Sequence, residues 1–476
     1  MTTVEAARLI TLLTLAASVG GPRTSRAEPA APGAGQEPAC ERPPIKQLRY
    51  EEDYSFLRDP TCRTELWDPV KYISLSSRHE VFLTLGAHLR ERYEYYRNPG
   101  WGAGPSDAYL LSRFMVHGDL HVGSRLRVFA ELASHFVNGR AGGPGPLDED
   151  VLDLHQGFFD ASAEVPRAGR FTLRGGRQEL DYASARLISV REGANVRLSF
   201  DGLRAIQRVG AWRVDAFALA PVEVDPGVFD DGPQSGTRLW GVYGVGPVID
   251  EALALDLYYL GLLRKEAAFE QGTARERRHS FGVRISGTPA DVDYNFELVY
   301  QLGAFGAGHI RAWTIASDTG YTFASLPWRP RLGAQLNATS GDDDPLDPDL
   351  QTFNPLFPRA SYFSEAILIG PLNHIDVHPV LELRPIDGLA IAFGWDAFWR
   401  QSLDDGLYLT SSALQVPGAG NPERYVGSEA VLQVTWMTRH LIVVAAYSHF
   451  FAGPFLREAG RDHDIDFVTL WASYRL

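Results

Sequence analysis

From about residue 80 to the end of the chain, apolar and polar side chains alternate with a period of two, in runs of about 9–12 residues. One run sets Val292, Tyr294, Phe296, Leu298, Tyr300 and Leu302 against Asp293, Asn295, Glu297 and Gln301. Another sets Leu83, Leu85, Ala87, Leu89, Tyr93 and Tyr95 against Thr84, His88, Arg90, Arg92 and Glu94. The last ends at Leu476, with Val468, Leu470, Ala472 and Tyr474 on one face and Thr469, Trp471, Ser473 and Arg475 on the other. Strands in soluble sandwiches typically run about 5–6 residues, whereas a tilted strand crossing hydrocarbon needs about 9–11. After residue 27 no stretch of about 18 apolar residues occurs, which excludes a spanning helix. Only helices and closed barrels satisfy their backbones in lipid. The pattern therefore predicts an all-β fold, a transmembrane antiparallel β-barrel. Tyrosines at the ends of the apolar faces (Tyr93, Tyr95, Tyr259, Tyr300 and Tyr474) suit interfacial girdles.

The 476 residues bound the size. At about 25 residues per strand and connection, some 400 residues give about 16–18 strands, enough to leave an aqueous channel. Connections rich in Gly, Pro and Asp at 136–150, 179–203, 222–236, 340–366 and 402–424 read as extracellular loops, some folded inward. Residues 1–27 read as a signal peptide: Arg8, an apolar run from Leu9 to Val19, and the small-residue site Ser25-Arg26-Ala27. Residues 28–48 read as a Pro/Ala/Gly-rich disordered linker. Residues 49–78 read as an ordered periplasmic segment whose Tyr50, Tyr54, Trp67 and Tyr72 either pack on the rim of a barrel spanning 79–476, the more common use of such residues, or bind sugar. The only two cysteines, Cys40 and Cys62, form one disulfide in an oxidising compartment or remain free thiols.

Charge is carried on arginine. Of 45 basic residues, only Lys46, Lys71 and Lys265 are lysine, inside a chain of net charge −14. The acidic balance argues against nucleic acid as a partner. Six arginines fall in the stretch 171–204, FTLRGGRQELDYASARLISVREGANVRLSFDGLR. It begins strand-like at Phe171–Arg174, breaks at Gly175 and Gly176, and then loses all periodicity. Ordering so many guanidinium groups calls for anionic partners, from a solute or from the chain's own acids. Arg90, Arg92, Arg113, Arg127, Arg174, Arg177, Arg191, Arg197, Arg331 and Arg400 are the candidate arginines of a wet lumen. The competing reading for each is a cross-strand ion pair that stiffens the wall. Asp119, Glu131, Asp256, Asp293 and Glu297 share the polar faces with them. The run SGDDDPLDPD at 340–349 makes Asp342, Asp343 and Asp344 a weak calcium candidate, without the ordering of an EF-hand loop. His88, His117, His121, His155 and Ser112 are the residues from which a hydrolase would have to be built; no nucleophile motif accompanies them, and no cofactor is expected.

In order along the chain, several segments resemble the alginate-export outer-membrane porins. They are RYEEDYSFLRDP at 49–60, LGAHLRERYE at 85–94, LDLHQGFFD at 152–160, GRQELDY at 176–182 and REGANVRLSFDGLR at 191–204. They continue with SGDDDP at 340–345, LQTFNPLFPRASYF at 350–363, NHIDVHPVLELRP at 373–385, FWRQSLDDGLY at 398–408, RYVGSEAVLQVTW at 424–436 and YSHFFAGPFL at 447–456. The resemblance implies an 18-stranded barrel in the outer membrane that passes an anionic polysaccharide such as alginate, or another anionic solute, through an arginine-lined constriction. The partners so implied are the lipid bilayer with its lipopolysaccharide, the anionic solute, and periplasmic export components. The alternatives are a porin for an unrelated solute, an outer-membrane enzyme, and a soluble polysaccharide-binding β-protein.

Overall fold

A sheet in hydrocarbon has no water to meet its edge N–H and C=O groups, so it has to close on itself. In a computed structural model, which describes Cys40 and residues 42–476, it does so with eighteen antiparallel strands. The signal peptide at 1–27 and the linker to residue 39 lie outside the described residues. The strands are β1 (Val81–Arg97), β2 (Asp107–Val122), β3 (Leu126–Asn138), β4 (Asp150–Val165), β5 (Gly169–Gln178), β6 (Phe200–Val209), β7 (Trp212–Glu223), β8 (Thr237–Ile249) and β9 (Leu253–Phe269). They continue as β10 (Gly272–Gly287), β11 (Val292–Phe305), β12 (Gly308–Thr322), β13 (Arg331–Thr339), β14 (His374–Ile386), β15 (Leu389–Arg400), β16 (Tyr425–Met437), β17 (Leu441–Ala452) and β18 (Ile465–Arg475). Each pairs with its neighbours in sequence. The ring closes between β1 and β18, from His88 opposite Arg475 to Arg97 opposite Asp466.

The period-two pattern sets the faces. Leu298, Phe296, Tyr300 and Leu302 point outward and are exposed, while Glu297, Val299 and Gln301 are buried inside. The same holds on β1, where Leu85, Leu89 and Tyr93 face out and Thr84, His88, Arg90, Arg92 and Glu94 face in. One end of the barrel carries tight turns, such as Gly210–Ala211 and Asp387–Gly388, together with the segment 42–80 and Leu476. The other carries the connections 139–149, 179–199, 224–236, 340–373 and 401–424. Short turns at the periplasmic end and long loops outside are how outer-membrane barrels are built.

Three expectations from the sequence need correction. The strand containing Phe171–Arg174 does not break at Gly175 and Gly176 but continues as β5 to Gln178. Gly176 holds φ +127°, and a Cβ there would sit 2.2 Å from the carbonyl oxygen of Gly157, so the pair is a close-approach point within the sheet. The connection read as 179–203 ends at 199, because Phe200–Arg204 pair with Gln178–Arg174 on one side and Pro221–Phe217 on the other. Tyr50 is not on the rim. It packs edge-on against the inward rings of Phe129 and Phe158, with centroids 6.1 and 5.3 Å away, and its hydroxyl donates to the Glu179 carbonyl at 2.7 Å. Arg49 holds it there by pairing with Glu52 at 2.7 Å and donating to the carbonyl oxygens of Ala87 and Leu476. Trp67 and Tyr72 do pack on the rim, Trp67 donating to the Tyr474 hydroxyl at 2.8 Å and Tyr72 stacking on Phe82. Cys40 and Cys62 form a disulfide that closes this segment.

The inner wall is not uniformly polar. Along β7–β12 it presents Leu219, Leu239, Tyr243, Tyr258, Leu260 and Val299. Against this dry seat pack Leu180, Tyr182, Leu187 and Ile188 of connection 179–199 and Phe353, Leu356 and Phe357 of connection 340–373. The two inward loops pair with each other in parallel: Ser189 N–H donates to the Phe357 carbonyl at 2.9 Å, and Phe357 N–H to that of Leu187 at 2.8 Å.

Two predictions follow from these placements. Leu298→Arg, at the middle of β11 on the lipid face, is expected to lower unfolding stability by about 2–4 kcal/mol in bilayers, read by tryptophan fluorescence in denaturant. Leu346→Arg, in an exposed loop, is expected to stay within about 0.5 kcal/mol. The Lys71 ammonium lies 4.8 Å from the Tyr54 ring centroid without a hydrogen-bond partner among the described residues. Burial pushes it down to about 7. The undocked segment keeps a proton there that the docked one gives up, so docking should strengthen as pH rises from about 7 toward about 10. Amide exchange across Tyr54–Tyr72 should slow between those pH values, after correction for its intrinsic pH dependence, and the effect should vanish in Lys71→Met.

Candidate functional site

Of the arginines predicted to line the lumen, Arg90, Arg92, Arg113, Arg127, Arg174, Arg331 and Arg400 occupy inward strand positions, whereas Arg177 lies on the face of the outward Leu173, opposite Asp201, and Arg191 and Arg197 belong to connection 179–199; the structure shows what most of them hold. At the centre stands Glu192, near the apex of connection 179–199. Its carboxylate lies 2.8 Å from Arg113, 3.3 Å from Arg197, 3.4 Å from Arg475 and 3.9 Å from Arg90. Arg90 also donates to the Glu192 and Ala194 carbonyls at 2.6 and 2.8 Å, and Arg113 to the same two and to that of Asn195. Burial alone would raise the Glu192 carboxyl, but Arg113, Arg197 and Arg475 outweigh it and hold the group well below the usual range. The wall thus grips the loop through charge-assisted bonds, which are about twice as strong as neutral ones. The grip is needed: Ala183, Ala185 and Arg191 all sit at φ between 51° and 57°, which costs on the order of 1 kcal/mol each without surrounding support.

The remaining predicted arginines divide the same way. Arg92 pairs with Glu94 at 2.5 Å and Glu365 at 2.9 Å, tying connection 340–373 to β1. Arg127 and Arg174 make forked pairs with Asp119 and Asp160, and Arg174 lies over the Tyr50 and Phe158 rings. Arg177 bridges Asp201 and Asp153, Arg197 also grips Glu179 at 2.8 Å, and Arg331 holds Asp293 at 2.7 Å. Arg400 is spent on connection 401–424, donating to the carbonyls of Leu403, Asp405, Gly418, Asn421 and Glu423. Arg191 differs: among the described residues it has no carboxylate partner, and its guanidinium lies 5.8 Å from the Phe357 ring centroid.

The sequence reading missed Arg359. It sits in connection 340–373, two residues past Phe357, and its side chain is buried. Its guanidinium lies over the Tyr362 ring, its Nε has no hydrogen-bond partner, and no carboxylate among the described residues pairs with it. Burial pushes both Arg191 and Arg359 down to about 10. Arg359 lines one cavity with Arg90, Arg92, Asp181, Glu192 and Glu365, on the side of the lumen away from the apolar seat. Asp181 there is pushed up to about 7 by burial, with Glu179 and Glu51 adding to burial and Arg197 opposing it. The only sequence signal for Arg359 was its place in the aperiodic run PLFPRASYF, which says nothing of direction.

The other candidates resolve into structural contacts. Ser112 donates to Glu91 at 2.6 Å, His88 bonds the Ser473 hydroxyl at 2.8 Å, His117 lies 3.5 Å from Glu131, and His121 and His155 pair with Asp119 and Glu179, so Ser112 and these histidines do not come together in one site. Ligand atoms of three acidic or histidine side chains converge within 4.8 Å at Glu131/His155/Glu179 and at Asp153/Asp230/Asp231 among the described residues. The run Asp342–Asp344 is not one of these places: Asp342 is buried, Asp343 and Asp344 are exposed, and their carboxylates do not gather. In the first cluster Glu179 is already neutralised by Arg197.

Comparison with known proteins agrees with this architecture. No curated protein matches the sequence. Among solved structures, Acinetobacter baumannii OccAB1 is similar with a TM-score of 0.57 and 13% identity, over 86% of this chain and 98% of that one. Pseudomonas aeruginosa OccK8 (OprE) is similar at 0.54 and 13%, over 83% and 98%. Pseudomonas aeruginosa OccK2 (OpdF) in complex with glucuronate is similar at 0.53 and 11%, over 85% and 98%. At such identities the likeness is one of fold. A family model described as Alginate export matches residues 81–468. The chain is an outer-membrane β-barrel channel and belongs to the alginate export family.

Proposed function

We propose that the channel passes an anionic polysaccharide of the uronate type, or a smaller anionic solute of the same chemistry, and that Arg191 and Arg359 are the residues that meet it. The observation that carries this reading is that these two guanidinium groups have no carboxylate partner among the described residues, Arg359 buried with its Nε unbonded and Arg191 half-buried beside the Phe357 ring. A buried unpaired cation is costly, and a carboxylate passing between the two loops would relieve that cost. Each arginine offers a planar fork matched to a carboxylate. Each also lies on an aromatic ring, which fixes its plane while leaving its edge free. A lipid barrier excludes uronates because of their charge, and weak, repeated guanidinium contacts replace their hydration without trapping them. Family membership supports the polymer, and the glucuronate bound in the OccK2 structure supports uronate chemistry in a barrel of this fold.

The arginines bound to Glu192, Glu365 and Asp160 have a different role here: they hold loops and wall in place so that two guanidinium groups stay unspent. Export through such a pore also calls for a periplasmic partner to deliver polymer at the short-turn mouth, where residues 42–80 lie.

Planar-bilayer reversal potentials in a salt gradient test the assignment. Wild-type channels should prefer chloride over potassium, and polyuronate should reduce the current more than an uncharged glucose polymer of equal length. Arg191→Ser together with Arg359→Ser should lower the anion preference at least threefold and abolish the difference between the two polymers. Heat-modifiable migration on gels would show that the variant still folds. An unchanged reversal potential and an unchanged polymer effect in a folded double variant would refute the proposal.

A further inference from the structure

The outer wall carries arginines that have no part in the lumen. Arg238 of β8 and Arg277 of β10 stand in one outward row, either side of Leu263 on β9. Arg275 lies one step nearer the loops on the same face, and Arg311 of β12 points outward in the neighbouring row. All four are exposed. Toward the membrane the outward rows turn aromatic, with Tyr259, Phe281, Tyr300 and Trp313 side by side, and then apolar, with Leu257, Val283, Leu298 and Ile315. An aromatic row of this kind marks the membrane–water interface. The arginines therefore stand at headgroup depth in the outer leaflet. Arg238 and Arg277 are two strand spacings, about 10 Å, apart.

The chain gives these guanidinium groups little to hold. Among the described residues the side chains of Arg275 and Arg277 make no hydrogen bond and no ion pair. Arg238 donates only to the carbonyls of Gln234 and Thr237, and Arg311 reaches Asp349 at 3.8 Å. Other outward arginines are spent within the chain, Arg97 on Asp466 at 3.3 Å and Arg177 on Asp201 at 2.9 Å. Beside the unpaired row the outer wall is hollowed by a lipid-facing groove of about 350 Å³, lined by Leu173, Leu203, Ala205, Ala216, Ala218 and Trp240. Small residues face each other across its floor, Ala205 opposite Ala216. Trp240, which neighbours Ala218 in the sheet, is turned away from it. Its indole lies across β9 over Gly261, where any Cβ would run into the ring. Its Nε1 donates to the Tyr259 hydroxyl at 3.1 Å, and that hydroxyl shares a 2.8 Å bond with His279 Nδ1. The groove is thereby held open, and Arg238, two residues from Trp240 on the same face, stands at its head.

We propose that Arg238, Arg275 and Arg277 bind the phosphate groups of lipopolysaccharide, the glycolipid of the outer leaflet, with one of its acyl chains seated in the groove beside Trp240. Guanidinium forks match phosphate oxygens, and an apolar groove opening into the leaflet matches a hydrocarbon chain, so the occupant must carry both groups. A second copy of this chain fits poorly. A two-fold axis along the membrane normal would set the same arginines against each other at the same depth, which is repulsive. The site lies outside the barrel and does not depend on the role of Arg191 and Arg359.

The test is native mass spectrometry of the full mature chain in detergent, titrated with phosphorylated lipid A, with the same lipid freed of phosphate, and with inorganic phosphate. The wild type should bind phosphorylated lipid A saturably and at least tenfold more tightly than the dephosphorylated form. Arg238→Gln with Arg277→Gln should cut that preference at least fivefold. Both side chains are exposed, so the fold should survive, and heat-modifiable migration checks it. Arg97→Gln, exposed on the outer face but paired with Asp466, should leave the preference unchanged. Ala216→Phe, which fills the groove, should weaken both lipids at least threefold and keep the preference for phosphate. Any one of four results would overturn the proposal: equal binding of the two lipids by the wild type, an undiminished preference in the folded Arg238/Arg277 variant, displacement of the lipid by inorganic phosphate at equal concentration, or lipid-free dimers that Ala216→Phe dissociates.

Discussion

A guanidinium group taken out of water must be met by carboxylates or carbonyls, and this barrel is assembled around that requirement. The wall supplies arginines at Arg90, Arg113 and Arg475; connection 179–199 supplies Arg197 and the acceptor, Glu192, together with the carbonyls beside it. Truncating one partner of such a cluster typically costs about 3–5 kcal/mol, because the others are left charged and unmet. The loop in turn accepts strained backbone at Ala183, Ala185 and Arg191 that a free segment would not keep. Arg92 and Glu365 repeat the arrangement for the second inward loop, and Arg186 and Glu297 pin the first to the opposite wall at 3.0 Å.

The interior has two halves with different chemistry. Along β7–β12 the inner face is apolar and aromatic, and the loops lie on it as a core element would lie on a sheet. Along β1–β5 the inner face is ionic and grips the same loops from the other side. Together they hold a short parallel pairing, Ile188 with Phe357, near the middle of the barrel. Tyr50 approaches from the periplasmic end and bonds the Glu179 carbonyl, so the N-terminal segment and the extracellular loop meet inside the lumen. Arg191 and Arg359 are what this double clamp leaves unspent.

The outer face of the fold was legible in the sequence because lipid imposes one rule on every strand. Period two, strand length and the missing apolar helix together required a closed barrel, and Leu298 or Leu89 could be assigned to the lipid side from spacing alone. The inner face obeys no single rule. Tyr243 and Tyr258 occupy positions that period two marks as lumen-facing, and only the docked loops explain why they are aromatic. The partners of the arginines are set by contacts such as Arg113 with Glu192 and Arg186 with Glu297, 79 and 111 residues apart, which no local pattern encodes. Spacing could therefore say that Arg113 faces inward but not that it is already engaged. It could not place Arg359 at all, since an aperiodic loop gives no direction to its side chains.

The claim on which the account turns is that connections 179–199 and 340–373 lie paired inside the barrel in the membrane. Cysteines substituted at Ile188 and Phe357, which bridge each other in the sheet sense, test it in outer-membrane fragments, with the native disulfide left intact. The account predicts near-complete oxidation to an Ile188–Phe357 cross-link and slow labelling by an external thiol reagent. Rapid labelling of both positions with no cross-link would place the loops outside and contradict it.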